Sequence, residues 1–78
     1  MVNVGEIIEL DDSKEYIVVS KKELHNIVYV YLITNSKPLE ILIATEKDIN
    51  SEIILEEVKD NDELDYVLSQ FALEMEQN

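Results

Sequence analysis

The chain has 78 residues, of which eighteen are Asp or Glu and six are lysine with no arginine, so its formal net charge is −12. A hydrophobic fraction of 46% is ordinary for a globular protein, so this charge does not indicate disorder. The absence of cysteine and arginine, with a single glycine, excludes disulfides, thiolate chemistry and the usual phosphate-binding motifs. We therefore expect one acidic domain spanning residues 1–78, in the cytoplasm.

Five short apolar segments, rich in β-branched and aromatic residues, predict strands in the first part of the chain, residues 1–58. Polar segments separate these strands. Residues 20–23 are expected to end the second strand, and residues 46–51 are expected to link the fourth and fifth. Short strands in succession favour an antiparallel meander. The predicted strands are residues 4–10, 16–19, 26–34, 39–44 and 53–58.

The third strand is apolar without interruption from residue 27 to residue 33, which predicts a central position in the sheet. Its alternation places Val28, Val30 and Leu32 on one face. We expect that aliphatic face to lie under the helix. The opposite face carries Tyr29 and Tyr31, and we expect it either to be buried by curling of the sheet or to meet a second subunit; the short chain favours curling.

A helix is predicted for residues 60–76. Asp60 and Glu63 have the spacing of a capping box, in which Asp60 accepts the N–H of Glu63 and Glu63 reaches back to the cap. One apolar stripe at helical spacing should face the sheet. The fold class is therefore α+β, with a bent antiparallel sheet of about five strands, such as an SH3-like partial barrel, and one C-terminal amphipathic helix. The stripe consists of Leu64, Val67, Leu68, Phe71, Ala72 and Met75.

No combination of residues predicts a cofactor, a metal site or a catalytic group. The acidic run at residues 60–65 lacks the glycine and the distal glutamate of an EF-hand loop, so we interpret it as the start of the helix. His25 is the only imidazole, and an enzyme using His25 with nearby carboxylates would need a formed pocket around it. We expect no enzymatic activity.

Four side chains are the candidates for protein interaction. One helix can cover only one face of the sheet. Tyr29 and Tyr31 lie on the face that we expect the helix to leave uncovered. Tyr66 and Leu73 lie seven residues apart on the predicted outer face of the helix. These surfaces predict a protein partner or self-association.

Several segments resemble small acidic proteins of unknown function from Gram-positive bacteria and their phages. The resemblance is carried by residues 5–10 (GEIIEL), 15–19 (EYIVV) and 28–32 (VYVYL), and by residues 54–58 (ILEEV) before 62–64 (DEL). It implies no catalytic signature and no established activity.

The functional expectation is a small, non-enzymatic protein-interaction or regulatory module. Direct nucleic-acid binding is not expected, because affinity for phosphates depends on Lys and Arg. Membrane insertion is not expected either, since the longest apolar run is far shorter than the roughly 20 residues of a membrane-spanning helix. The alternative is a decoy that mimics nucleic acid and binds a DNA- or RNA-binding protein through its carboxylates.

The excess of acidic side chains generates a prediction about salt. Repulsion among them weakens as ionic strength rises, so the melting temperature should be higher in moderate salt than in none. Thermal denaturation followed by circular dichroism across a salt series measures this, and a melting temperature that falls on adding salt would contradict it.

Overall fold

The computed structural model describes residues 1–76 and contains a five-stranded antiparallel sheet followed by one helix. Each strand pairs with the next along the chain, and the sheet curls into a half-barrel. The predicted α+β class and partial barrel are confirmed. The elements are β1 (Ile7–Glu9), β2 (Glu15–Leu24), β3 (Ile27–Thr34), β4 (Ile41–Ile49), β5 (Glu52–Glu57) and α1 (Asn61–Glu76).

The predicted ends of two strands are wrong. β2 continues through the polar residues 20–23, and β4 continues through residues 46–49. Both strands end at two-residue hairpin loops, His25-Asn26 and Asn50-Ser51, in which all four φ angles lie between 52° and 68°. Asparagine tolerates this left-handed conformation, and such loops match the twist of the flanking strands, so the loops rather than the first polar residues determine where the strands end.

The first strand is also shorter than predicted, because regular pairing begins at Ile7 instead of residue 4. Gly5 has a φ of 90°, a backbone angle that residues with a side chain rarely adopt. Its N–H donates to the carbonyl of Val18 (2.7 Å), and the Val18 N–H donates to the carbonyl of Glu6 (2.9 Å). This turn brings the N-terminal residues across one end of the half-barrel.

A bulge at Val19 changes which side chains of β2 face inward. Val18 pairs with Leu32, but the next pair joins Ser20 to Tyr31, so Val19 is the extra residue. Before the bulge, even-numbered residues of β2 face the inside of the half-barrel; after it, odd-numbered residues do, and Lys21 pairs with Val30.

Two apolar clusters lie on opposite faces of the sheet. The barrel core fills the concave face, where the curled sheet packs against itself. The helix core lies between the sheet and α1. The buried members of the barrel core are Val2, Tyr16, Val18, Val30, Leu32 and Ala44. Those of the helix core are Tyr29, Ile43, Val58, Val67 and Phe71.

The helix covers the tyrosine face of β3, not the aliphatic face as predicted. Phe71 packs edge-on against Tyr31 with 5.5 Å between ring centroids, and Tyr29 is only 5% exposed. Curling buries Val30 and Leu32 within the barrel core instead. Only the convex face of a curled sheet is free for a helix, and the tyrosines are on that face.

The predicted start of the helix is confirmed in part. The Glu63 N–H donates to the Asp60 carboxylate (2.9 Å), so Asp60 is the N-cap. The Glu63 side chain does not return to the cap, because it accepts a hydrogen bond from the Tyr29 hydroxyl. Of the predicted stripe, Ala72 is exposed, and the side chain of Met75 lies outside the described part of the chain.

One ion pair lies at the end of the barrel core. The Lys21 ammonium is 3.3 Å from both carboxylate oxygens of Glu46, whose side chain is only 4% exposed. The Val2 N–H donates to Glu46 (3.0 Å), and Lys21 donates to the Val2 carbonyl (2.9 Å). Every partner of this buried carboxylate is thus supplied by β2 or by the N-terminal segment.

Removing Lys21 should destabilise the fold strongly. Lys21→Met leaves the buried Glu46 carboxylate without its counter-charge, which should lower the free energy of unfolding by about 2–4 kcal/mol in urea denaturation. The matched control is Lys14→Met, which breaks the pair between Lys14 and Glu40, both about half exposed, and should cost less than about 1 kcal/mol. Equal costs for the two variants would contradict this account.

Candidate functional site

The half-barrel is open along one seam. Within the described residues, β1 pairs only with β2 and β5 only with β4, so neither pairs with the other. A groove of about 350 Å³ lies at this seam. Its lining residues are Leu10, Asp11, Asp12, Leu42, Ala44, Leu55, Glu56, Glu57 and Lys59.

The groove combines an apolar floor with an acidic rim. The floor continues the barrel core, since Ala44 belongs to that core and Leu10, Leu42 and Leu55 pack against it. Exposed carboxylates stand on both sides, from the β1–β2 turn and from the end of β5. Lys59 is the one basic side chain among the lining residues. The rim carboxylates are those of Asp11, Asp12, Glu56 and Glu57.

A second groove, of about 310 Å³, shares residues with the first and extends it along the seam. Leu10, Asp11 and Leu55 line both, and the second adds Glu9, Ile53 and Ile54. We call the two together the seam groove. A third groove, of about 320 Å³, adjoins it between β5 and the start of α1, where Glu63 and Lys47 join the lining.

Hydrogen bonds hold the Asp12 carboxylate in place at the rim. It accepts from the Lys14 N–H (2.9 Å) and from the hydroxyl of the buried Tyr16 (2.8 Å). The Lys14 N–H, followed by the Tyr16 hydroxyl, lowers the pKa of Asp12, so the carboxylate stays charged to more acidic pH than usual. The hydrogen bond from the Tyr16 hydroxyl to Asp12, followed by burial of the tyrosine, raises the pKa of Tyr16 to about 12.

Two of the four predicted interaction residues do not offer an open surface. Tyr29 is buried beneath α1, where its hydroxyl donates to Glu63 (2.6 Å). Burial, followed by this hydrogen bond, raises the pKa of Tyr29 to about 12. Tyr31 is partly buried against Phe71. Both tyrosines attach the helix to the sheet.

The other two predicted residues are exposed on the outer face of α1. Tyr66 is 43% exposed and Leu73 is 53% exposed. Tyr66 stacks on His25 with 6.0 Å between ring centroids, and its hydroxyl lies 3.3 Å from the His25 Nε2. A docking role for this helix face stays a prediction.

His25 itself sits on an exposed hairpin turn. It lines none of the three grooves, so the pocket that a catalytic His25 would need is not among them. Among the residues whose side chains the structure describes, no group of three or more potential ligands is arranged to hold a metal ion. Within residues 1–76, no helix is long and apolar enough to span a membrane.

A row of isoleucines, exposed at its two ends and half-buried in the middle, forms a surface on the sheet that the sequence does not predict. Ile17 pairs directly with Ile7 on one side and Ile33 on the other, and Ile33 pairs with Ile41. The outermost two, Ile7 and Ile41, are 54% and 56% exposed. Four residues from four strands become neighbours only through the register, so periodicity within each strand gives no signal for the row.

The sequence gives no signal for the seam groove either, because Leu10 and Leu55 lie at opposite ends of the sheet-forming part.

A scan against protein-family models finds no match to the chain. Searches of the curated proteins and of the solved structures find no significant match either. The resemblance to small acidic Gram-positive and phage proteins therefore stays a prediction.

The raised pKa values of the two tyrosines predict a loss of stability at high pH. An unfolded tyrosine loses its proton near pH 10, whereas Tyr16 and Tyr29 keep theirs in the folded state to about pH 12. The unfolded state is thus favoured progressively as pH rises from 10 to 12, and the urea midpoint should fall over that interval.

Tyr29→Phe should reduce this fall, and at neutral pH it should cost about 1–2 kcal/mol through loss of the bond to Glu63. Tyr66→Phe, on the exposed helix face, is the matched control and should retain the fall. An unchanged pH dependence in Tyr29→Phe would contradict the assignment.

Proposed function

We propose that this protein is a non-enzymatic interaction module that binds a partner segment carrying Lys or Arg together with apolar side chains. The observation that supports this is the composition of the seam groove, in which an apolar floor lies between two acidic edges. Each part selects for a different property of the partner, and neither requires a catalytic group.

The carboxylates select for positive charge. Asp11 and Asp12 stand on one side of the seam, Glu56 and Glu57 on the other, and the whole chain carries −12. A field of one sign speeds association with basic partners and repels acidic ones. The proposed module works in the cytoplasm, a reducing compartment that suits a chain without cysteine.

The floor selects for apolar side chains. Leu10 and Leu55 are only partly buried, and both line the groove along its length. Covering them would remove apolar surface from water, which contributes about 25 cal/mol per Å². A partner with charge alone would leave this contribution unused.

The decoy is the second candidate, and the acidic rim also supports it. A decoy would present carboxylates where a DNA- or RNA-binding protein contacts phosphates, and the rim carries carboxylates on both sides of the seam. A decoy would be recognised by its charge alone and would not need an apolar floor. The apolar floor therefore favours the interaction module over the decoy. The two candidates differ in whether apolar side chains of the ligand contribute to binding.

The proposal is tested with a short fluorescent peptide of lysine and valine at physiological ionic strength. The double variant Glu56→Lys/Glu57→Lys should weaken its binding at least about tenfold, because it places two positive charges on the rim. The matched control, Glu23→Lys/Asp65→Lys, makes the same change of net charge on exposed residues outside the three grooves and should change binding less than about threefold.

Equal losses in the two double variants would assign the binding to net charge and overturn the proposed site. No binding to the original protein would overturn the module itself. A lysine and serine peptide separates the remaining candidates: it should bind at least about tenfold more weakly than the lysine and valine peptide, and equal binding would favour the decoy.

A further inference from the structure

We infer that the partner segment binds as an added β-strand along the free edge of β5, with basic and apolar side chains alternating. This inference rests on the proposed function and adds to it the conformation and the sequence pattern of the ligand.

The free edge of β5 can accept a strand. β5 has six residues and pairs along one edge only, with β4, among the described residues. Its other edge faces the seam, where the grooves have volumes of about 350 and 310 Å³. An edge strand presents unpaired N–H and C=O groups, and an extended peptide satisfies them by main-chain hydrogen bonds. β1, with three residues, offers a shorter edge.

The side chains of β5 specify the pattern of the added strand. Leu55 packs against the barrel core, and strand alternation places Ile53 and Glu57 on its face. Ile54 and Glu56 point to the opposite face, and Glu56 reaches the rim of the seam groove. In a paired strand, apolar side chains at alternate positions would therefore lie over Leu55 and Leu10. The intervening positions would lie beside Glu56 and Glu9, where lysine or arginine is favoured.

Charge identifies the occupant as a basic segment, not as a second copy of this chain. Two β5 strands paired at their free edges would bring Glu52, Glu56 and Glu57 of each copy close to those of the other. Like charges opposite one another across a strand pair are destabilising. These glutamates thus oppose self-association at the edge and favour a partner of opposite charge.

The experiment compares peptides of identical composition and the length of β5. In one, lysine and valine alternate; in the other, the lysines precede the valines as a block. The alternating peptide should bind at least about tenfold more tightly, because only it places all its valines on one face of a strand. Two further alternating peptides carry N-methyl groups on alternate backbone amides, in the two possible phases.

One N-methylated phase should lose binding at least about tenfold, because its methyl groups block the bonds to β5, and the other phase should bind more tightly than it. On binding the unmodified peptide, amide hydrogen exchange in β5 should slow, while that of the β2–β3 hairpin serves as the internal reference.

Binding of the block peptide as tight as that of the alternating one, with no effect of either methylation phase, would overturn the added strand and leave the proposed function standing. Absence of binding for every lysine and valine peptide would overturn both. Loss of binding in both methylation phases to the same extent would contradict pairing along the one edge of β5.

Discussion

The bulge at Val19 is the constraint on which both cores of this protein depend. A regular strand keeps one set of side chains on each face, and a single extra residue exchanges the sets beyond it. Because of the exchange, Tyr16 and Val18 lie in the barrel core and Lys21 also points inward, 3.3 Å from the buried Glu46. Without it, the lysine would point toward α1 and Glu46 would lose its partner. One helix is enough to bury this sheet, because α1 covers the convex face and curling of the sheet buries the concave face.

Electrostatics in this chain serve three separate purposes. The pair of Lys21 and Glu46 neutralises a charge inside the fold, and Asp60 satisfies a backbone donor at the start of α1. The third group lines the seam groove, where Lys59 is the one basic side chain among the lining residues, and it carries the binding that we propose. A count of acids and lysines merges these groups, because a charge is structural or functional according to its burial and its neighbours.

Local interactions could be predicted from the sequence, and relations between distant residues could not. The spacing of Leu64, Val67 and Phe71 involves residues only one or two helical turns apart. The helix that it predicts is present, and these residues pack in the helix core. The face on which α1 packs depends on the direction of sheet curvature, which no single strand encodes. The polar end of β2 continues as a strand up to the His25-Asn26 loop, and its Lys21 and Lys22 pair there with carboxylates on β4 and α1. The seam groove requires both sheet edges at once, so the sequence gives no local signal for it.

The order of the strands has a consequence for how the chain folds. Every strand pair joins neighbours in sequence, so each hairpin needs only a short loop to close. The pair that is missing, β1 with β5, is the one that would join distant parts of the chain. Low contact order is associated with fast folding in small two-state domains. The open barrel thus forms without the strand pair that would need the longest stretch of chain to close.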